Sequence, residues 1–220
     1  DLGSAGITIH GADADGQVGQ SVQSAGDVNG DGIDDFIIGA TKANTADNGR
    51  TNAGEAYLIY GSRNPAVSID VANLGNQGVI FRGAGSDQNT GHFVDAADIN
   101  NDGYSDVIIG AHLRAGNGGS AAAGAVYVVW GGPTLASTID LGNLGSSGIT
   151  VLGADANDLT GNPVAAVGDL NNDGFQDFGL GAIWADSVNN TRDRAGEAYV
   201  IFGGNALQGT IDLATANTGV

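Results

Sequence analysis

The sequence predicts an all-β chain, a β-propeller of four-stranded blades, on three observations. Glycine fills 39 of 220 positions, far above its usual share of about 7%, as a fold of short strands and tight turns requires. A block of about 71 residues recurs three times, and self-similarity at a fixed period of this size marks arrays and propellers. Each block carries four short segments rich in β-branched and aromatic residues and bounded by glycine, and four strands make one blade.

In chain order, the first strand of each blade is read at 18–25, 93–97 and 164–167. The second follows an acidic loop, as Phe36-Ile37-Ile38, Val107-Ile108-Ile109 and Phe178-Gly179-Leu180. These apolar runs end in Gly-Ala and are too short for helices. The third strand spans 54–61, 124–131 and 196–203, with Tyr57, Tyr127 and Tyr199 at equivalent places. The fourth lies at 78–81 and 148–151, and a matching segment stands near the N-terminus at 6–9. Repeat 1 then covers about 11–83, repeat 2 about 84–153 and repeat 3 about 154–220, while the N-terminal strand at 7–10 belongs to a preceding or closing blade.

Between the first and second strands stand three copies of Asp-x-Asn-x-Asp-Gly-x-x-Asp, with Asp27, Asp98 and Asp169 each 71 residues apart. Oxygen-bearing side chains occupy positions 1, 3, 5 and 9: Asp27, Asn29, Asp31 and Asp35; Asp98, Asn100, Asp102 and Asp106; Asp169, Asn171, Asp173 and Asp177. A hard cation of calcium's size takes six to eight oxygens at roughly 2.3–2.6 Å. Alternate residues of a tight loop can all face inward, so each loop is a candidate Ca2+ site, three in all. Position 7 is apolar in every copy (Ile33, Tyr104, Phe175) and is expected to offer its main-chain carbonyl while its side chain packs elsewhere. An EF-hand closes with a bidentate Glu at position 12; here that position is Ile38, Ile109 or Leu180, which excludes that motif. Two carboxylates about 4 Å apart repel by about 4 kcal/mol at an effective dielectric near 20, so a loop without metal is expected to loosen. Asp34, at position 8 where Ser105 and Gln176 stand in the other copies, is expected to face outward.

These residues resemble the FG-GAP repeats of the integrin α-chain β-propeller and its bacterial and extracellular relatives. In that family a Phe-Gly pair precedes the calcium loop and Gly-Ala-Pro follows the next strand. This chain keeps the glycines and departs around them, with Val18-Gly19, Thr90-Gly91 and Thr160-Gly161 for the first pair. Gly39-Ala40-Thr41, Gly110-Ala111-His112 and Gly181-Ala182-Ile183 stand for the second. The resemblance implies that the calcium loop joins the first and second strands on one face of the propeller. It implies a ligand-binding face opposite, where the loops 41–53, 112–123 and 183–195 differ most among the copies.

The formal charge is −18, so a polyanionic nucleic acid is not an expected partner. The chain has no cysteine; no disulfide can staple it, and calcium is expected to supply the equivalent constraint outside the cell. It also has no methionine and no apolar run of 18 residues, so no membrane span is expected. The sequence is read as an excised or processed part of a longer secreted protein.

The function expected is a calcium-binding extracellular adhesion or recognition module whose variable loops meet a protein or glycan. Two alternatives stay open: a structural repeat of a sheath, surface layer or large adhesin, and an accessory domain of a secreted polysaccharide-active enzyme. No Ser/His/Asp set recurs near one loop, and thiol catalysis is excluded by the absence of cysteine; the chain is not read as an enzyme. His10, His92 and His112 fall at inequivalent repeat positions without metal-ligand spacing and are read as surface or strand residues. Arg192-Asp193-Arg194 is read as a solvated cluster, while Trp184 fits either sugar stacking or gap filling. Asp87 and Asp155 are read as turn residues whose carboxylates pair with backbone amides. Propellers close with about four to eight blades, so three require either self-association or sequence beyond these residues, a head-to-tail dimer giving six.

Overall fold

The structure, a computed structural model, describes residues 2, 5–45, 49–116, 121–186 and 191–216. The tips of the three variable loops, at 46–48, 117–120 and 187–190, lie outside the described residues, as do Asp1, Gly3, Ser4 and residues 217–220.

The chain begins with β1 (Thr8–His10) and then forms β2 (Val18–Gly26), β3 (Asp35–Ala40) and β4 (Glu55–Ile59). After β5 (Ser68–Asp70) and β6 (Gly78–Arg82), the pattern restarts with β7 (Val94–Ala97), β8 (Asp106–Ala111) and β9 (Ala125–Val129). It continues through β10 (Thr138–Asp140), β11 (Gly148–Leu152), β12 (Thr160–Gly168), β13 (Asp177–Ala182), β14 (Glu197–Ile201) and β15 (Gly209–Asp212), ending in a helical turn at Leu213–Ala216. β2-β3-β4-β6 and β7-β8-β9-β11 are antiparallel sheets, the first two blades; β12-β13-β14 is a third, three-stranded among the described residues. Among the described residues no sheet closes on itself, and the arrangement is part of a β-propeller.

One set of strands was not expected from the sequence. β5, β10 and β15 pair in parallel with β1, β6 and β11, so each lies beside the fourth strand of the preceding blade although it precedes its own. The fourth strand of a blade is an edge with unpaired amides and carbonyls, and an edge left open invites association; the short parallel strand covers it. Each then turns into a helical turn capped by an Asp side chain: Asp70 accepts the Ala72 amide, Asp140 the Gly142 amide and Asp212 the Ala214 amide, at 2.8–3.0 Å. That capping geometry is the usual use of Asp at a helix start.

Side chains alternate across a strand, and here both faces meet an apolar layer, which is why the central strands read as unbroken apolar runs. Ile37, Leu58 and Phe81 of the first blade pack with Val107, Ile109 and Tyr127 of the second. Ile108, Val126 and Val128 on the other face of the second blade pack with Val164, Phe178 and Leu180 of the third. A smaller layer joins Ile38, Tyr57 and Ile59 to Ile7 and Ile9 of the N-terminal strand and Ile69 of β5. The blades approach so closely that a Cβ on Gly39 would lie 1.8 Å from the Gly91 carbonyl oxygen, and one on Gly110 would lie 2.4 Å from that of Gly161. The glycine of each Gly-Ala pair in the first two blades is therefore set by the neighbouring backbone.

Candidate functional site

The three acidic loops connect β2 to β3, β7 to β8 and β12 to β13, all at one end of the blades. The variable loops leave β3, β8 and β13 at the opposite end, as the antiparallel registers Val18↔Ala40 and Thr160↔Ala182 require.

Positions 1, 3 and 5 are brought together by one hydrogen-bond pattern repeated three times. The carboxylate at position 1 accepts the amides of positions 5 and 6: Asp27 from Asp31 at 3.0 Å and Gly32 at 2.8 Å, Asp98 from Asp102 and Gly103 at 3.0 Å, Asp169 from Asp173 at 3.1 Å and Gly174 at 2.9 Å. The Asn at position 3 accepts the position 5 amide through its Oδ1 and donates its Nδ2 to the position 5 carboxylate. The other oxygen of that carboxylate accepts the amide of position 7. Gly32, Gly103 and Gly174 all take positive φ, at 81°, 90° and 94°, the left-handed turn for which position 6 is glycine.

Position 7 sends its side chain to the end of the third strand. A Cβ on Gly61, Gly131 or Gly203 would meet Ile33, Tyr104 or Phe175 at 2.5–3.0 Å, and Tyr104 also covers Gly30 of the preceding loop. Position 9 is a buried tie. Asp35, Asp106 and Asp177 are at most 2% exposed, and each accepts the amide of position 2 and the amide of Gly61, Gly131 or Gly203 at 2.8–3.0 Å. Burial raises the Asp106 carboxyl to about 7 against those two amides, with Asp102 and Asp98 adding repulsion. Asp35 is raised for the same reasons, burial first, with Asp31 and Asp27 contributing. These glycine partners were not singled out from the sequence, although each ends a third strand at the same phase. The residue after two of them binds the loops to the next blade, the Gly132 amide reaching the Val28 carbonyl at 2.8 Å and Gly204 that of Ile99 at 2.9 Å.

Among the described residues no group of three or more His, Asp or Glu side chains stands in an arrangement that holds a metal ion. The donor set nonetheless suits a hard cation in kind, all carboxylate and amide oxygen. A carboxylate has about four acceptor positions, so an Asp at position 9 that accepts two amides keeps further capacity. Asp34 is exposed, as expected.

The remaining candidates fall as follows. His92 and His112, inequivalent in sequence, meet with ring centroids 4.5 Å apart. His112 is 7% exposed, so it is neither a surface nor a strand residue; burial, His92 and Lys42 lower its pKa to about 4. Trp184 is 46% exposed with the Arg194 guanidinium 5.1 Å from its ring centre, so it does not fill a gap between blades. With Asp155, Asp158, Asp186 and Asp193 they line a hollow of about 190 Å³ on the variable-loop end. The Asp87 carboxylate accepts the side-chain amide of Asn52 at 3.0 Å, where a backbone amide was expected. No helix among the described residues is long and apolar enough to cross a membrane.

Comparison with known proteins places these features. The FG-GAP repeat family model matches residues 18–59 and 90–129, the first three strands of each of the first two blades. Integrin alpha-5 of Xenopus laevis is 30% identical over 171 residues, 76% of this chain and 14% of that protein. The chain thus spans about a seventh of the length of this curated relative. With its repeated loops, its blade order and these two likenesses, the chain is an FG-GAP repeat domain of the integrin α-like kind.

Proposed function

We propose that this domain is a calcium-binding extracellular module for adhesion or recognition. Its three acidic loops hold Ca2+, and the loops 41–53, 112–123 and 183–195 at the other end meet a protein or glycan. The observation that carries this reading is the repetition of one loop geometry three times, with Asp, Asn, Asp and Asp at positions 1, 3, 5 and 9. Calcium, when bound, neutralises carboxylates whose mutual repulsion opposes the folded loop. The residues assigned to it are Asp27, Asn29, Asp31 and Asp35 with the Ile33 carbonyl, Asp98, Asn100, Asp102 and Asp106 with that of Tyr104, and Asp169, Asn171, Asp173 and Asp177 with that of Phe175.

The loops tie adjacent blades through Val28 and Ile99, so a cation there would stiffen the platform from which the opposite loops project. Ligand binding stabilises a fold by RT ln(1 + L/Kd), L being the free ligand concentration; a melt in millimolar Ca2+ is expected to lie well above one in chelator. Coincident melts would remove the calcium reading. The half-exposed Trp184 beside Arg194 favours a glycan over a protein ligand, because an indole face with flanking carboxylates suits a sugar ring. Binding to a panel of immobilised glycans that is lost in Trp184→Ala is the expected result; binding unaffected by that change would turn the search to protein ligands.

A further inference from the structure

The second blade departs from a pairing that the first and third blades share. Tyr57 donates its hydroxyl to the Glu55 carboxylate at 2.5 Å, and Tyr199 donates to Glu197 in the same way. Residues two apart on a strand share a face, so the Glu lies beside its Tyr. Ala125 holds that place in the second blade and stops at Cβ. The Tyr127 hydroxyl is buried without a hydrogen-bond partner, which costs the fold stability. The first blade packs over this face of the second, so the place is enclosed within the propeller.

The side chains around the hydroxyl differ in a related sense. In the turn after the second strand Ala43 and Ala185 are 1% and 2% exposed, and Arg114 takes the equivalent place in the second blade. The three turns are bonded alike. Each donates the amide of this residue to the carbonyl three residues earlier at 3.0–3.1 Å, and its carbonyl accepts the amide of Gly54, Gly124 or Gly196 at 2.9–3.1 Å. Arg114 is thereby tied to the residue before Ala125. In the first blade a guanidinium reaches the carboxylate from the fourth strand, Arg82 Nε lying 3.7 Å from Glu55. In the second blade Leu152 holds the place of Arg82, and the guanidinium comes from the turn instead. Burial raises the Tyr127 hydroxyl to about 12, with Arg114 and Arg50 opposing the rise and Asp140 adding to it. Asp140 neutralises Arg50 through two hydrogen bonds, whereas the Arg114 guanidinium has no acceptor among the described residues.

The second blade thus keeps the two kinds of donor that hold a carboxylate in the first, a tyrosine hydroxyl and a guanidinium, without a carboxylate of its own. We propose that a partner supplies it: the side chain of a glutamate in an acidic peptide segment, entering beside Arg114 at the variable-loop end. Tyr127 is closed to solvent and Arg114 is half-buried, so the hydroxyl is reached by a slim, flexible arm. A uronate, whose carboxyl is attached directly to a sugar ring, is not such an arm. The formal charge of −18 opposes an acidic ligand only weakly here. The acidic loops lie at the far end of the six-residue strand β8, roughly 20 Å away at about 3.3 Å per residue, and exposed charges are screened over about 8 Å at physiological ionic strength. The inference rests on the reading that the variable-loop end meets a ligand, and uses neither the calcium loops nor Trp184.

The probe is acetylated, amidated hexaglutamate, with hexaglutamine as control, in amide chemical-shift titrations at physiological ionic strength. Hexaglutamate is expected to bind with a Kd of about 1 mM or tighter and to move the Arg114 and Gly124 amides; hexaglutamine is expected to move neither. Tyr127→Phe is expected to weaken binding about tenfold without lowering the melting temperature, because the hydroxyl has no partner in the free chain. Ala125→Glu gives the second blade the carboxylate of the other two and is expected to abolish binding and to melt higher. Hexaglutamate binding unchanged in both variants overturns the inference, and so does no binding at about 10 mM. If Ala125→Glu does not fold, Tyr127→Phe decides alone, since its ring keeps the packing. Oligogalacturonate that moves the same amides with the same dependence on Tyr127 overturns the peptide assignment in favour of an acidic glycan. Glycan binding that depends on Trp184 and persists beside a failed peptide titration overturns this inference while leaving the broader recognition reading in place.

Discussion

The buried carboxylate of Asp106 accepts the amide of Gly131, 25 residues ahead, at 2.9 Å, and holds the end of a third strand to the acidic-loop end of its blade. Asp35 with Gly61 and Asp177 with Gly203 repeat the tie. This relationship separates two roles within one motif, because position 9 braces the blade whether or not a cation is present, while position 5 lies exposed in the loop.

Asp106→Ala leaves the amides of Ile99 and Gly131 buried without acceptors, at a cost of about 1–3 kcal/mol each. The variant is expected to lose about 3 kcal/mol or more in urea unfolding, in chelator as well as in calcium. Asp102→Ala is expected to change stability by less than about 1 kcal/mol in chelator and to lose the calcium-dependent increment of its loop. Equal losses for the two variants in chelator would contradict the division.

Gly39→Ala tests the blade contact. Its methyl group would fall on the Gly91 carbonyl oxygen, a backbone atom of the next blade that no rotamer change moves aside. Overpacking typically costs 1–3 kcal/mol, and about 3 kcal/mol is expected here, read as a lower urea midpoint together with faster proteolysis between the first and second blades. A midpoint within error of the unmodified chain would mean that the blades are not held at this separation.

Arg50 and Asp140 make a bidentate ion pair, with two bonds at 2.8 and 2.9 Å, and Arg50 also donates to the Gly83 carbonyl at 2.6 Å. The pair straps the first variable loop to β10, the strand lent by the second repeat. Arg50 hydrogen bonds hold the Asp140 carboxyl below its ordinary value of 3.8. A depressed carboxyl contributes stability that is present above its unfolded pKa and is lost as pH falls through the folded one. Arg50→Ala is accordingly expected to cost about 1 kcal/mol at neutral pH, as a partly exposed pair does, and to lose less than the unmodified chain on acidification below about pH 4. Parallel acid limbs for the two proteins would contradict the pairing.

Much of this was legible in the sequence because the repeat supplies its own alignment. Phe36, Val107 and Phe178 lie in the second strands, each of which starts one residue earlier at the position 9 Asp, and Tyr57, Tyr127 and Tyr199 lie in the third strands. The parallel strands at Ile69, Ile139 and Ile211 were not read as strands. Their Ile-Asp signal recurs, but three or four residues carry no periodicity, and their partner lies in the preceding blade. The loops gave up positions 1, 3 and 5 to motif reading, whereas the double tie of Asp35, Asp106 and Asp177 needed the position of a glycine some 25 residues away. The contact of His92 with His112 crosses from the start of one strand to the end of another, and no spacing rule brings such residues together.

The central claim is that the three acidic loops bind calcium, and calorimetric titration of chelator-stripped protein with CaCl2 tests it most directly. Three equivalents per chain are expected, falling to two in each of Asp31→Ala, Asp102→Ala and Asp173→Ala. No uptake at millimolar calcium, or an unchanged count in all three variants, would contradict it.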